Sequence, residues 1–215
     1  MAIRFAIFIS GRGSNMLALA DVIAKTKDGK IALVAADKDC EGLHAAAACG
    51  YQTAHIPYKL QSKAESEEQL AASVEQANVD FILLAGFMKV LSPDFVARFK
   101  HKIINIHPSL LPKHKGLNTH QRALEAGDSE HGVSVHMVTA GLDEGSVIAQ
   151  ASIVIQKQED ASQLAARLLP TEHALYAIVV SSLINGSLTI SGKQIMWHQR
   201  PLFDPLLGKL SLPHV

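Results

Sequence analysis

The apolar runs "IRFAIFI" (3–9), "KIALVAA" (30–36) and "VDFILLAG" (79–86) constrain this chain most, because almost no polar residue interrupts them. A strand with one wet face alternates apolar and polar positions. A strand that is apolar throughout is covered on both faces, as in a parallel sheet packed against helices. Stretches of helical pattern separate the runs, at 15–26, 42–49 and 63–77. A short strand is expected at 53–57, and a helix at 92–99 leads into "HKIINIH". Strands spaced in this way predict βαβ units. In the second half, "HGVSVHMV" (131–138) and "SVIAQASIVI" (146–155) flank the turn "TAGLDEG" and predict an antiparallel hairpin. Helical spacing covers 160–185, where Pro170 predicts a kink or a restart. The expected class is α/β: an open, mostly parallel twisted sheet with helices on both faces and an antiparallel hairpin toward the C-terminus. Residues 1–190 are expected to form one domain with halves 1–100 and 101–190, and 191–215 a tail.

Composition narrows the function. The chain is 48% hydrophobic with 20 basic and 20 acidic residues, so it can bury a large core but has no basic excess to hold a nucleic-acid backbone. No polybasic tract suggests a membrane surface. Two cysteines, Cys40 and Cys49, form neither a disulfide framework nor a metal motif. The start "MAIRFAIFIS" is too short for a membrane span and lacks a cleavage site, so a cytoplasmic location is expected.

Four loops carry candidate chemistry. "SGRGSN" (10–15) follows the first strand and opens a helix; its glycines permit a tight turn, and free N–H groups there suit a phosphate. Ser14 and Asn15 are expected to cap that helix and add hydrogen bonds. The loop is not a Walker motif, and Met16 stands where a dinucleotide fingerprint needs its third glycine. Asp37, ending the second strand, keeps a nicotinamide cofactor in view. "AGFMKVLSP" (85–93) ends a buried strand, where open α/β sheets bind ligands. Phe87, Met88, Val90 and Leu91 could line a slot for a flat ligand, although by residue type alone ordinary core packing is the commoner outcome.

"INIHPSLLP" (104–112) places Asn105 and His107 two apart on a strand, hence on one side. An amide and an imidazole together suit stabilising an oxyanion in acyl transfer; a buried histidine capping a turn is the equally common alternative. Asp143 in "GLDEG" could orient His107, or could be turn chemistry alone. Eleven histidines raise the question of zinc. His131 and His136, five apart on one strand, face opposite ways, and neither HExxH nor CxxC occurs, so no metal is expected. Ser109 lies in no nucleophile elbow.

Taken together, "SGRGSN", "LLAGFMKVLSP", "NIHPSLLPKHKG", "HGVSVHMVTAGLDEG" and "TEHALY" resemble, in order and spacing, the phosphoribosylglycinamide formyltransferase family of purine synthesis. The resemblance runs from about residue 3 to about 190. It implies a Rossmann-like formyltransferase fold and transfer of a formyl group from 10-formyltetrahydrofolate, a co-substrate, to the amino group of glycinamide ribonucleotide. It makes 1–100 the phosphate-binding half and 101–190 the folate and catalytic half. By the same resemblance Gly13, Ser14 and Asn15 would hold the ribonucleotide phosphate and Glu172 its ribose. Lys63, Met88, Lys89, Val90 and Leu91 would line the folate site, and Asn105, His107 and Asp143 would be catalytic. The implied partners are these two small molecules, without nucleic acid or membrane, and a homodimer of the chain is left open. The chain departs from the family where Ala36-Asp37 replaces Ser-Asn, Lys89 replaces Arg, His114-Lys115 replaces an aromatic-led pair, and Pro170 precedes Glu172. The rival readings are a formyltetrahydrofolate deformylase and a non-catalytic nucleotide-binding module.

Overall fold

Strand β1 (Ile3–Ile9) holds five consecutive residues, Phe5 to Ile9, with no solvent exposure, which a strand reaches only with both faces covered. The computed structural model describes residues 2–199 and 209–212. They belong to two compact units, Met1–Asn105 and Ile106–Val215.

In the first unit β1 runs parallel to β2 (Gly29–Ala36), and β2 to β3 (Thr53–His55). On its other edge β1 pairs with β4 (Phe81–Leu84), and β4 with the start of β5 (Ile103–His107), again parallel. The order is β5-β4-β1-β2-β3. The chain therefore leaves β1 toward one edge and returns to fill the other, so a switch point lies at the carboxyl ends of β1 and β4. Four helices connect these strands: α1 (Ser14–Ala24), α2 (Glu41–Ala48), α3 (Lys63–Ala77) and α4 (Pro93–Arg98). Helix α3 starts at a capping box, the Ser62 hydroxyl accepting from Glu65 N while the Glu65 carboxylate accepts from Ser62 N. Helix α4 starts with Ser92 as cap and Pro93 in the first turn.

The second unit contains α5 (Thr119–Glu125), the antiparallel pair β6 (Glu130–Met137) and β7 (Val147–Val154), and α6 (Ala161–Ile184). A separate hairpin follows, β8 (Leu188–Ser191) with β9 (Gln194–Trp197), and β10 (Lys209–Ser211) pairs antiparallel with β7. Pairing slips once: Val135 faces Ala149 but His136 faces Val147, leaving Ile148 as an extra residue on β7. The carbonyl of Ile148 accepts from Trp197 Nε1 at 3.1 Å. Across the chain the strands make a mixed, mostly parallel α/β architecture, as expected.

Helix α6 does not restart at Pro170; it runs unbroken for 24 residues. An internal proline costs ~3 kcal/mol. The helix also buries Leu164, Leu168, Leu175, Val179 and Leu183 in one stripe, each worth ~1.5–3 kcal/mol. Packing outweighs the local penalty. The expected 191–215 tail includes β9 and β10, while residues 200–208 and 213–215 lie outside the described residues.

Candidate active site

The loop after β1 is built by two glycines. Gly13 is the N-cap of α1 in the left-handed region (φ 77°), and a Cβ there would stand 2.8 Å from Gly42 Cα. Gly42 N in turn donates to Gly11 O at 3.0 Å, binding this loop to the start of α2. No side chain caps α1, contrary to the capping expected of Ser14 and Asn15; these are its first two residues, half-buried and buried respectively. With Gly13 in the cap position, Ser14 and Asn15 are not used as the helix cap. The first N–H groups of a helix lack intrahelical acceptors and carry the positive end of its dipole.

The loop after β4 turns at Gly86 (φ 80°), and Met88 N donates to Ser10 Oγ at 2.8 Å, joining the carboxyl ends of β4 and β1. Core packing does not describe it. Met88 and Val90 are 69% and 64% exposed, Leu91 is buried, and half-buried Phe87 packs on Phe8 and Tyr58. Apolar side chains held in solvent beside a switch point suit a flat organic ligand. Lys89 Nζ lies 3.5 Å from Oδ2 of buried Asp37 and 5.6 Å from the Tyr58 ring centre, so two departures from the family pattern meet each other. Burial, then the Glu67 and Asp37 carboxylates, push the Tyr58 phenol up. Lys63 opens α3 with its ammonium 3.7 Å from Glu67, whose carboxylate also accepts from Ser92 N and the Ser92 hydroxyl.

Strand β5 ends at buried His107, two residues after half-buried Asn105. His107 Nδ1 lies 3.5 Å from Asp143 Oδ2, and Nε2 lies 3.1 Å from the carbonyl oxygen of His114. Asp143 occupies the left-handed region (φ 50°), and its Oδ2 accepts from Gly116 N at 2.8 Å. The turn that presents it demands glycine at 145, where a Cβ would fall 1.7 Å from Met137 O. Residue types and spacing thus bring His107 and Asp143 together.

His136 is a neighbour that sequence reasoning considered only as a metal ligand. Its Nε2 lies 3.6 Å from Asp143 Oδ1, and Nδ1, 2.9 Å from Met137 O, must carry the hydrogen because a carbonyl only accepts. Burial pushes its pKa down, against the Met137 bond and the Asp143 charge. The hairpin supplied the signal: strands that pair 136 with 147 place His136 beside the turn bearing Asp143. His131 instead meets His120, Nε2 to Nδ1 at 3.0 Å, and burial, then His120, bring its pKa down to about 4. Among the described residues no group of three or more His, Cys, Asp or Glu is arranged to hold a metal ion. The Ser109 hydroxyl donates to Lys113 O at 2.7 Å, which suits loop structure. Glu172 is half-buried on α6, two residues after Pro170.

A buried imidazole facing a carboxylate, with an amide two residues away on the same strand, can move a proton and stabilise developing negative charge. No helix among the described residues is long and apolar enough to cross a membrane.

Comparison with known proteins places the chain in a family. The model of the Formyl transferase family matches residues 3–180. Phosphoribosylglycinamide formyltransferase of Escherichia coli (strain K12) is 40% identical over 185 residues, 85% of this chain and 87% of that protein. The human trifunctional purine biosynthetic protein adenosine-3 is 34% identical over 199 residues, which is 90% of this chain but 20% of that protein. Among solved structures, the phosphoribosylglycinamide formyltransferase of Coxiella burnetii superposes with a TM-score of 0.85 at 38% identity, covering 97% of this chain and 98% of that one. With most of its length matched by the family model and by these relatives, the chain belongs to the formyl transferase family.

Proposed function

We propose that this chain is a phosphoribosylglycinamide formyltransferase. It transfers the formyl group of 10-formyltetrahydrofolate to the amino group of glycinamide ribonucleotide, in purine biosynthesis. The observation that carries the reading is the buried His107–Asp143 pair on and beside the strand that holds Asn105. The amine attacks the formyl carbon, a C–N bond forms, and the carbonyl electrons move onto oxygen. Asn105 and protonated His107 stabilise that oxyanion. When it collapses, the bond from the formyl carbon to the folate nitrogen breaks. Asp143 favours the imidazolium and helps carry the proton lost by the amine to the departing nitrogen. The reaction needs neither a metal nor a covalent enzyme intermediate.

Gly13, Ser14 and Asn15 hold the ribonucleotide phosphate in this reading, and Glu172 its ribose. Lys63, Met88, Lys89, Val90 and Leu91 contact the folate; the exposure of Met88 and Val90 supports them. In this reading the enzyme works in the cytoplasm on small molecules, and light scattering decides between a monomer and a homodimer. The test mixes the purified chain with 10-formyltetrahydrofolate and follows absorbance with and without glycinamide ribonucleotide. Formyl loss only with the ribonucleotide is expected; loss without it makes the chain a deformylase, and no loss in either tube makes it a binding module.

A further inference from the structure

Neither the proposed chemistry nor the resemblance uses the ion cluster beside His107. His114 Nε2 lies 2.7 Å from Asp128 Oδ2, and Lys113 Nζ 2.7 Å from Asp128 Oδ1. The His114 and Asp128 side chains are 12% and 14% exposed, so little water competes for that bond. Asp128 is itself fixed, its N–H donating to Ala123 O at the end of α5. Together with the Lys113 O–Ser109 Oγ bond, these contacts surround residue 114, which sits in the left-handed region (φ 52°), uncommon for residues other than glycine.

We propose that His114 and Asp128 are positioning residues that set the orientation and tautomer of His107. The peptide they hold reaches the candidate centre twice. The His114 carbonyl lies 3.1 Å from His107 Nε2, and two residues on, Gly116 N donates to Asp143 Oδ2. A carbonyl can only accept, so Nε2 carries a hydrogen, and Nδ1, which faces the Asp143 carboxylate, takes the second hydrogen when the ring is charged. One braced segment thereby fixes the imidazole and its carboxylate partner against each other. A developing oxyanion is a stronger acceptor than a neutral carbonyl and draws the same Nε2 hydrogen toward itself. The bond to Asp128 is made here by histidine at 114, one of the positions where the chain departs from the family pattern.

The inference rests on the formyl-transfer reading for its kinetic consequence but not for its structural one, so two readouts are taken on the full chain. Nitrogen-15 NMR of the His107 ring reports the tautomer, and steady-state kinetics report turnover. His114→Ala is expected to lose the Nε2-protonated signature and to lower kcat by ~10- to 100-fold with both KM values little changed. His114→Gln, whose amide can still donate to Asp128, should recover most of both. Asp128→Asn serves as a second variant if His114→Ala fails to fold, with the same expected direction. His107 ring signals identical to the parent's in a folded variant would overturn the brace. A tautomer shift in a chain without formyl transfer would support the brace and overturn the functional reading.

Discussion

His107 and Asp143 meet ring to carboxylate, Nδ1 3.5 Å from Oδ2, with their side chains only 8% and 9% exposed. Little water reaches the pair, so the carboxylate and the ring face each other largely unscreened. Removing that charge with Asp143→Asn should lower kcat by ~10²–10⁴, with ribonucleotide affinity close to the parent's by calorimetry. His107→Ala should behave alike. Turnover at the parent's rate in His107→Ala would rule out the oxyanion role.

Asn15 tests the phosphate loop. It sits in the first turn of α1, after the left-handed Gly13. Asn15→Ala should raise KM for the ribonucleotide and leave KM for the folate unchanged. A defect confined to the folate side would contradict the assignment.

The Asp37–Lys89 pair should respond asymmetrically. Asp37 is buried, whereas the Lys89 side chain is 34% exposed. Lys89→Met leaves a buried carboxylate without its cation and should cost about 1–3 kcal/mol in denaturant unfolding, after allowance for the solvent that reaches the lysine. Asp37→Asn removes the charge at the buried end, and Asp37→Asn with Lys89→Met should be more stable than Lys89→Met alone. A double variant no better than the single one would mean that the pair is not coupled.

Acid should destabilise the fold. His131 drops to about 4 in the folded chain from an ordinary 6.5 because of burial. Between those values the unfolded chain binds the extra proton, so stability falls as the pH is lowered from about 6.5 toward 4. Asp128, held below its ordinary 3.8 by the His114 and Lys113 bonds, stabilises the fold above that value and loses its contribution at still lower pH. Melting temperature should therefore decline steadily on acidification from neutrality, and His131→Gln should flatten the upper part of that curve.

Much of this was legible in the residues. Unbroken apolar runs announced parallel strands, and the helical stretch expected at 63–77 matches α3. His107 and Asp143 were paired from residue type and turn context. The losses have local causes. Helix α5 has only seven residues, too few for periodicity to register. The β8–β9 hairpin alternates buried and exposed positions over four residues per strand, again too short a pattern. Pro170 does not restart the helix, because the apolar stripe of α6 outweighs the local penalty that propensity alone registers. For Met88 and Val90 residue type alone favoured core packing over a ligand slot, and tertiary structure shows both in solvent.

The extra residue on β7 bears on where this domain can be cut. Ile148 is fully buried, and Trp197 supplies the donor to its carbonyl from almost fifty positions downstream. A fragment ending near 190 would leave that acceptor unsatisfied, at a cost of ~1–3 kcal/mol, and would uncover the surface beneath the indole. Any excision or gene fusion that treats the transferase as a portable module must therefore carry the chain at least through Trp197, well past the last recognisable sequence motif.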